Sequence, residues 1–403
     1  MKKIHRILGT LTITALLLSS CKKDEVTPSP SPATYTVPTS YEFKNTSNIS
    51  TVDFSGQKTR LIMLDQISAL MGGTTGVSES LLLSMYDGTG FTVDSLNISG
   101  KKLSDKTAAS VDYFSGINAE QTSSRETFKA LFKDAELLTN GNTEASTGVA
   151  GYYMDGAKKR YFNANGLEPQ QVFSKGMMGA CLLDQILNNY LSKNKLDAGS
   201  NVANNTSKVL EAGKTYTTME HAWDEAYGYI YGNDNITANP AVYKYWSSYI
   251  NQVNADPNFN TLKDAISKAF IKGRAAISNA DYTTRDAQIA IIKTELSKVP
   301  AVRAVYYLAN EGKTKLATNN GKAAFHALSE GYGFIWCLRF TQNPSTKAPY
   351  FSKEEVDGML SDLLKGTNGL YDVDYLSTAL DAIASKIATR FGFTVEQAID
   401  ATK

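Results

Sequence analysis

Apolar residues recur along this chain at three- and four-residue spacing, the period of helices that bury one face. Between Ser123 and Asn140 they fall at Phe128, Leu131, Phe132, Ala135 and Leu138. Ser123 and Glu126 form a capping-box pair at the start of this segment, and Asn140-Gly141 stops it. The stretch from Gln171 to Leu191 repeats the pattern with Val172, Met177, Ala180, Leu183, Leu187 and Leu191. Thr217 and Glu220 make a second capping-box pair and predict a helix over 218–231. Further helices are predicted over 261–280, 287–298, 300–310 with Pro300 at its start, and 322–340. Ser352 and Glu355 cap another over 353–364, and 374–391 and 395–401 complete the set. Only 40–56 alternates in a way that predicts a strand or two. The fold class read from this pattern is all-α, with a short irregular or β-containing N-terminal segment.

The first forty residues follow a different pattern. A basic start, Met1 to Arg6, leads into the apolar run Ile7 to Leu18. That run is too short to span a bilayer, which needs about 20 residues, and it fits a secretory leader over 1–20. It ends Leu18-Ser19-Ser20-Cys21, which resembles a bacterial lipobox with Cys21 as the lipidated residue. Residues 22–40 are rich in Pro, Ser and Thr and cannot bury enough surface to fold, so 21–40 reads as an anchor and flexible tether. The partner implied is a membrane, reached through the lipid, and the location is the bacterial outer membrane, periplasmic or surface-exposed. Lys23-Asp24-Glu25 resembles the acidic tag that exports some lipoproteins to the surface.

Composition narrows the function. A net charge of +1 supplies no electrostatic attraction for nucleic acid. Three cysteines exclude a disulfide framework, and three histidines exclude a multi-histidine metal cage. The domain predicted over 41–402 contains an internal repeat. His221-Ala-Trp-Asp-Glu-Ala-Tyr-Gly-Tyr-Ile-Tyr231 returns as His326-Ala-Leu-Ser-Glu-Gly-Tyr-Gly-Phe-Ile-Trp336. Such a copy predicts a duplicated helical bundle, with halves at approximately 41–240 and 241–402 related by a pseudo-twofold axis. Leu64-Asp-Gln-Ile67 also recurs, at Leu183-Asp-Gln-Ile186.

Gly166-Leu-Glu168, Lys175-Gly-Met-Met-Gly-Ala180 and the two His-Ala-x-x-Glu-x-Tyr-Gly segments resemble the family called domain of unknown function 4856, bacterial cell-envelope lipoproteins. More distantly the chain is similar to the imelysin group, duplicated helical bundles whose signature pairs a His with a Glu. That resemblance implies a place in iron uptake, or a peptidase activity. The imelysin pattern sets a Gly two residues before the His and the Glu three after it. Here the glutamates fall four after, at Glu225 and Glu330.

Residues four apart share a helix face, so His221 points with Glu225 and His326 with Glu330. If the copies face each other, two imidazoles and two carboxylates converge, a donor set suited to Zn, Fe or Mn. Asp224 is a further candidate ligand, with Ser329 as its counterpart, and Tyr227 and Tyr332 lie near each pair. The structural alternative is a buried His–Glu network that holds helices together, with Gly228 and Gly333 allowing close approach. There is no His-Glu-x-x-His run, no Gly-x-Ser-x-Gly elbow and no phosphate loop, so no catalytic residue is assigned. Cys181 and Cys337 read as buried free thiols, and Glu168 as a carboxylate serving a helix dipole. Arg274 and Arg303 read as partners of carboxylates, and Tyr243 to Tyr249 with Trp246 as core packing rather than a sugar-stacking surface.

The function expected is that of a cell-envelope binding protein with a divalent-metal or iron-uptake role at His221, Glu225, His326 and Glu330. Its partner would be an outer-membrane transporter or another envelope protein. The alternatives are a metal-dependent hydrolase or peptidase, and a surface interaction module in which the His–Glu pairs are structural.

Overall fold

The computed structural model describes residues 35–114, 118–317 and 321–400. The leader and Cys21 lie outside the described residues. Helices form where the apolar stripe is periodic. In the first part of the chain they are α1 Ser55–Met71, α2 Glu79–Tyr86, α3 Asp94–Asn97, α4 Asn118–Thr139, α5 Pro169–Met177, α6 Lys193–Leu196, α7 Asn201–Thr206 and α8 Thr218–Tyr231. The rest are α9 Tyr245–Asn254, α10 Leu262–Ser278, α11 Tyr282–Val305, α12 Lys313–Ala317, α13 Gly321–Cys337, α14 Lys353–Leu363, α15 Val373–Phe391 and α16 Val395–Ile399. From Thr36 onward they pack as one compact unit, all-α in class.

Two local signals act as the sequence reading expects. Thr217 Oγ1 accepts from Glu220 N at 3.2 Å while Glu220 Oε2 accepts from Thr217 N at 2.9 Å, closing the capping box of α8. Ser352 and Glu355 do the same for α14. The Ser123–Glu126 pair does not cap. Helix α4 starts five residues earlier, at Asn118, and Glu126 pairs instead with Lys129 on the next turn at 2.9 Å. Pro300 does not start a helix either. It lies inside α11, where the surrounding side chains are buried on neighbouring helices and tertiary packing outweighs the lost N–H.

The alternating stretch 40–56 forms only an isolated bridge, Lys44 to Ser50, before α1 begins. The one sheet among the described residues is a hairpin, β1 Gly151–Asp155 and β2 Lys158–Phe162, antiparallel with Asp155 opposite Lys158. Gly156 opens its two-residue loop at φ +59°, the left-handed backbone that such tight turns require.

The two long helices that precede the repeats end in wider, π-helical turns. Helix α5 runs on through such turns over Met178–Leu183 and Gln185–Tyr190, and α11 runs on through Tyr306–Gly312. Helix α8 packs on the π turn Gln185–Tyr190 and α13 on the π turn Tyr306–Gly312, so each copy of the repeat has a π turn as neighbour. Helix α13 also packs along α5, and α8 along α1. Indole groups tie these layers: Trp223 Nε1 donates to Phe270 O at 3.0 Å and Trp246 Nε1 to Met178 O at 3.1 Å. Within the Tyr243 to Tyr249 stretch Trp246 and Tyr249 are buried as packing, while Tyr243 is exposed. Among the described residues no helix is long and apolar enough to cross a membrane.

Candidate functional site

The repeat sets His and Glu on one face of each helix, as the spacing requires, but the two faces meet different partners. On α8, Glu225 accepts from Gln57 Nε2 of α1 at 2.8 Å, and the same amide lies 3.4 Å from the Tyr190 hydroxyl on the π turn. Burial, followed by the neighbouring Tyr229 and Glu225, pushes the Tyr190 phenol well above its ordinary pKa. His221 stacks on the Tyr216 ring with centroids 4.6 Å apart, and its Nδ1 is buried without a hydrogen-bond partner. Asp224 is engaged elsewhere than with His221 and Glu225. It accepts from the fully buried Arg274 at 2.9 Å and from the Tyr41 hydroxyl at 2.6 Å, and Glu220 takes another Arg274 nitrogen at 2.9 Å.

On α13, His326 Nδ1 lies 2.6 Å from Glu168 Oε2 and 2.9 Å from Arg160 Nη1. A carboxylate only accepts, so the shorter contact fixes the proton on Nδ1, and the arginine N–H cannot bond to that nitrogen as well. Arg160 instead donates to Asp155 at 2.7 Å and faces Glu168 Oε1 at 3.5 Å. Imidazole Nε2 looks toward Glu330 across 4.0 Å. Glu330 is held by Lys175 of α5 at 3.0 Å. Burial alone would raise the Glu330 carboxyl; Lys175 and His326 outweigh it and hold the group below its usual value.

Arg303 does not pair with a carboxylate as expected. Its guanidinium lies 4.4 Å from the Tyr306 ring, 4.5 Å from Tyr307 and 5.5 Å from Tyr249, while Nε and Nη1 make no hydrogen bond. Cation–π contact replaces the ion pair there. Cys181 and Cys337 are buried free thiols, and burial pushes the Cys181 thiol up to about 12.

Among the described residues no group of three or more His, Cys, Asp and Glu side chains is gathered where it could hold a metal ion. His221, Glu225, His326 and Glu330 therefore stand as two separate pairs rather than four converging ligands. The physical reason is the packing of α8 on α1 and of α13 on α5, which gives each pair its own neighbours. Sequence reasoning missed Glu168, Arg160 and Lys175. Glu168 stands at the N-cap of α5, where its charge suits the helix dipole, but it makes no side-chain capping bond there and its carboxylate goes to His326. No local signal reveals this, because the hairpin and α5 are brought to α13 only by the fold.

The family described as Domain of unknown function (DUF4856) matches residues 38–394, and the chain belongs to it. No curated protein and no solved structure matches the chain.

Proposed function

We propose that this member of the family is a lipid-anchored cell-envelope protein that works by binding a partner, with its two His–Glu helices serving as scaffold. One observation carries the scaffold reading. The carboxylates of the repeat are each satisfied by an internal donor, Gln57 for Glu225 and Lys175 for Glu330. The hydrolase alternative needs a spare carboxylate as base, and both repeat glutamates are engaged. The envelope location rests on the leader and on Cys21 followed by the tether. Fractionation of cells making the wild type and Cys21→Ala tests the anchor. The wild type should sediment with membranes and the variant should not; equal sedimentation of both would sink the anchored reading.

A divalent-metal site is the second reading, favoured by one arrangement: His326 has Glu168 on one ring nitrogen and Glu330 facing the other. Metal would have to displace Arg160 and Lys175 from those carboxylates. Elemental analysis of the purified protein, with thermal shifts in Fe, Zn and Mn, separates the readings. The scaffold reading predicts no bound metal and unchanged melting. A stoichiometric metal lost in His326→Ala would favour the metal instead.

A further inference from the structure

A second polar cluster lies away from the repeat, where α11 meets the segments carrying Asp112, Leu191 to Asn194 and Gln342 to Lys347. They enclose a cleft of about 250 Å³. Its floor is apolar, from Leu191, Ile289 and Ala290, and Lys293 of α11 lines it. Lys293 is only 6% exposed. No hydrogen bond or ion pair holds its amine. The charged group that acts on it is Asp112, and burial outweighs that attraction and lowers the amine to about 8. Asp112 itself is fixed by three side-chain donors: Ser192, Asn194 at 2.9 Å and Gln342 at 3.3 Å. The other charges at the cleft are spent or peripheral. Lys193 pairs with Asp286 at 2.6 Å, and Lys347 is exposed.

Lys293 is buried along its length, and its amine faces the open cleft with no protein partner, an arrangement that desolvation penalises and that stability does not require. A lysine whose amine loses its proton more readily against an apolar wall is the nucleophile of imine chemistry. We propose that the Lys293 cleft captures small aldehydes or ketones as an imine. The Nζ lone pair forms the new C–N bond and the carbonyl π pair moves to oxygen, giving a carbinolamine. The oxygen then leaves as water with both protons of the amine, and the C=N bond forms. Nothing is oxidised or reduced. Asp112, fixed by its three donors, favours the positive charge of the protonated imine. The apolar floor suits a short aliphatic chain on the carbonyl.

The test uses the full chain at pH 8 with sub-saturating propanal and cyanoborohydride, followed by peptide mass spectrometry. Lys293 should be propylated at least about tenfold faster than Lys268, an exposed lysine paired with Asp264 at 2.9 Å. Ala290→Phe fills the cleft but keeps the lysine; in folded variant protein, labelling of Lys293 should fall to the level of Lys268 or below. If the phenylalanine variant does not fold, Ala290→Val narrows the cleft more mildly and should slow labelling of Lys293, and undiminished labelling there would equally overturn the proposal. Labelling of Lys293 no faster than Lys268 in the wild type would overturn the proposal. So would undiminished labelling in a folded Ala290→Phe protein.

Discussion

The two copied histidines share a local sequence and differ in what they touch. His326 gives its Nδ1 proton to Glu168 at 2.6 Å, whereas His221 rests on Tyr216 with Nδ1 buried and unpaired. His326→Ala leaves Glu168 without its hydrogen-bond donor at 3% exposure, and should cost about 1–3 kcal/mol. His221→Ala removes an orphan polar atom along with a ring contact, and should cost under about 1 kcal/mol. Urea unfolding of both variants checks the ordering, and equal losses would contradict it. Arg274 of α10 is the buried cation that holds two carboxylates of α8. Arg274→Ala strands Asp224 and Glu220 without their cation, and should cost about 3–5 kcal/mol in the same assay. The spacing of His, Asp and Glu along α8 told which residues share a face. It could not tell that Asp224 would find Arg274, fifty residues later, rather than a ligand.

Between helices, glycine sets the distance. A Cβ on Gly228 would come within 2.3 Å of Phe54 Cβ, and one on Gly333 within 2.4 Å of Lys175 Cβ. Both contacts are with atoms next to a backbone, which cannot swing aside. Gly228→Ala and Gly333→Ala should each lose about 1–3 kcal/mol by forcing α8 from α1 and α13 from α5. Gly358, inside α14, has nothing within 4 Å of its added Cβ, so Gly358→Ala should gain about 0.5–1 kcal/mol from helix propensity. Thermal melts of the three variants test the contrast, and a stabilising Gly333→Ala would refute close approach as the reason for that glycine. These glycines were legible as packing positions because the repeat copies them. The π turns were not. Their wider winding answers the packing of α8 and α13 against α5 and α11, which no local propensity encodes. Pro300 is the mirror case, a strong local stop overridden by burial inside α11.

Over the whole molecule, buried carboxylates set the pH response. Asp184 is fully buried, accepts from the N–H groups of Ala109 and Ser110 at 3.0 Å each, and burial raises its pKa from 3.8 to about 6. Between about pH 4 and 6 the folded chain keeps a proton that the unfolded chain has released, so this group's contribution falls as pH rises through that window. The change is roughly 3 kcal/mol at about 1.4 kcal/mol per pK unit. Glu220 and Glu330, held below their usual values, act in the opposite sense, their contribution being lost as pH falls. The difference between wild type and Asp184→Asn isolates the first effect. The variant should gain on the wild type from pH 4 to 6 and hold that gain at pH 7, as read by denaturant midpoints. A constant difference across the range would exclude Asp184 as its source. By itself the sequence determined the helical class, most helix spans and the duplicated His–Glu helix, because periodicity and capping are local properties of consecutive residues. Tertiary structure alone decided what those groups face: Glu168 for His326, Lys175 for Glu330, Gln57 for Glu225, and the cleft before Lys293. Each partner lies on an element distant in sequence, and its approach is set by how helices pack, which depends on the whole core at once.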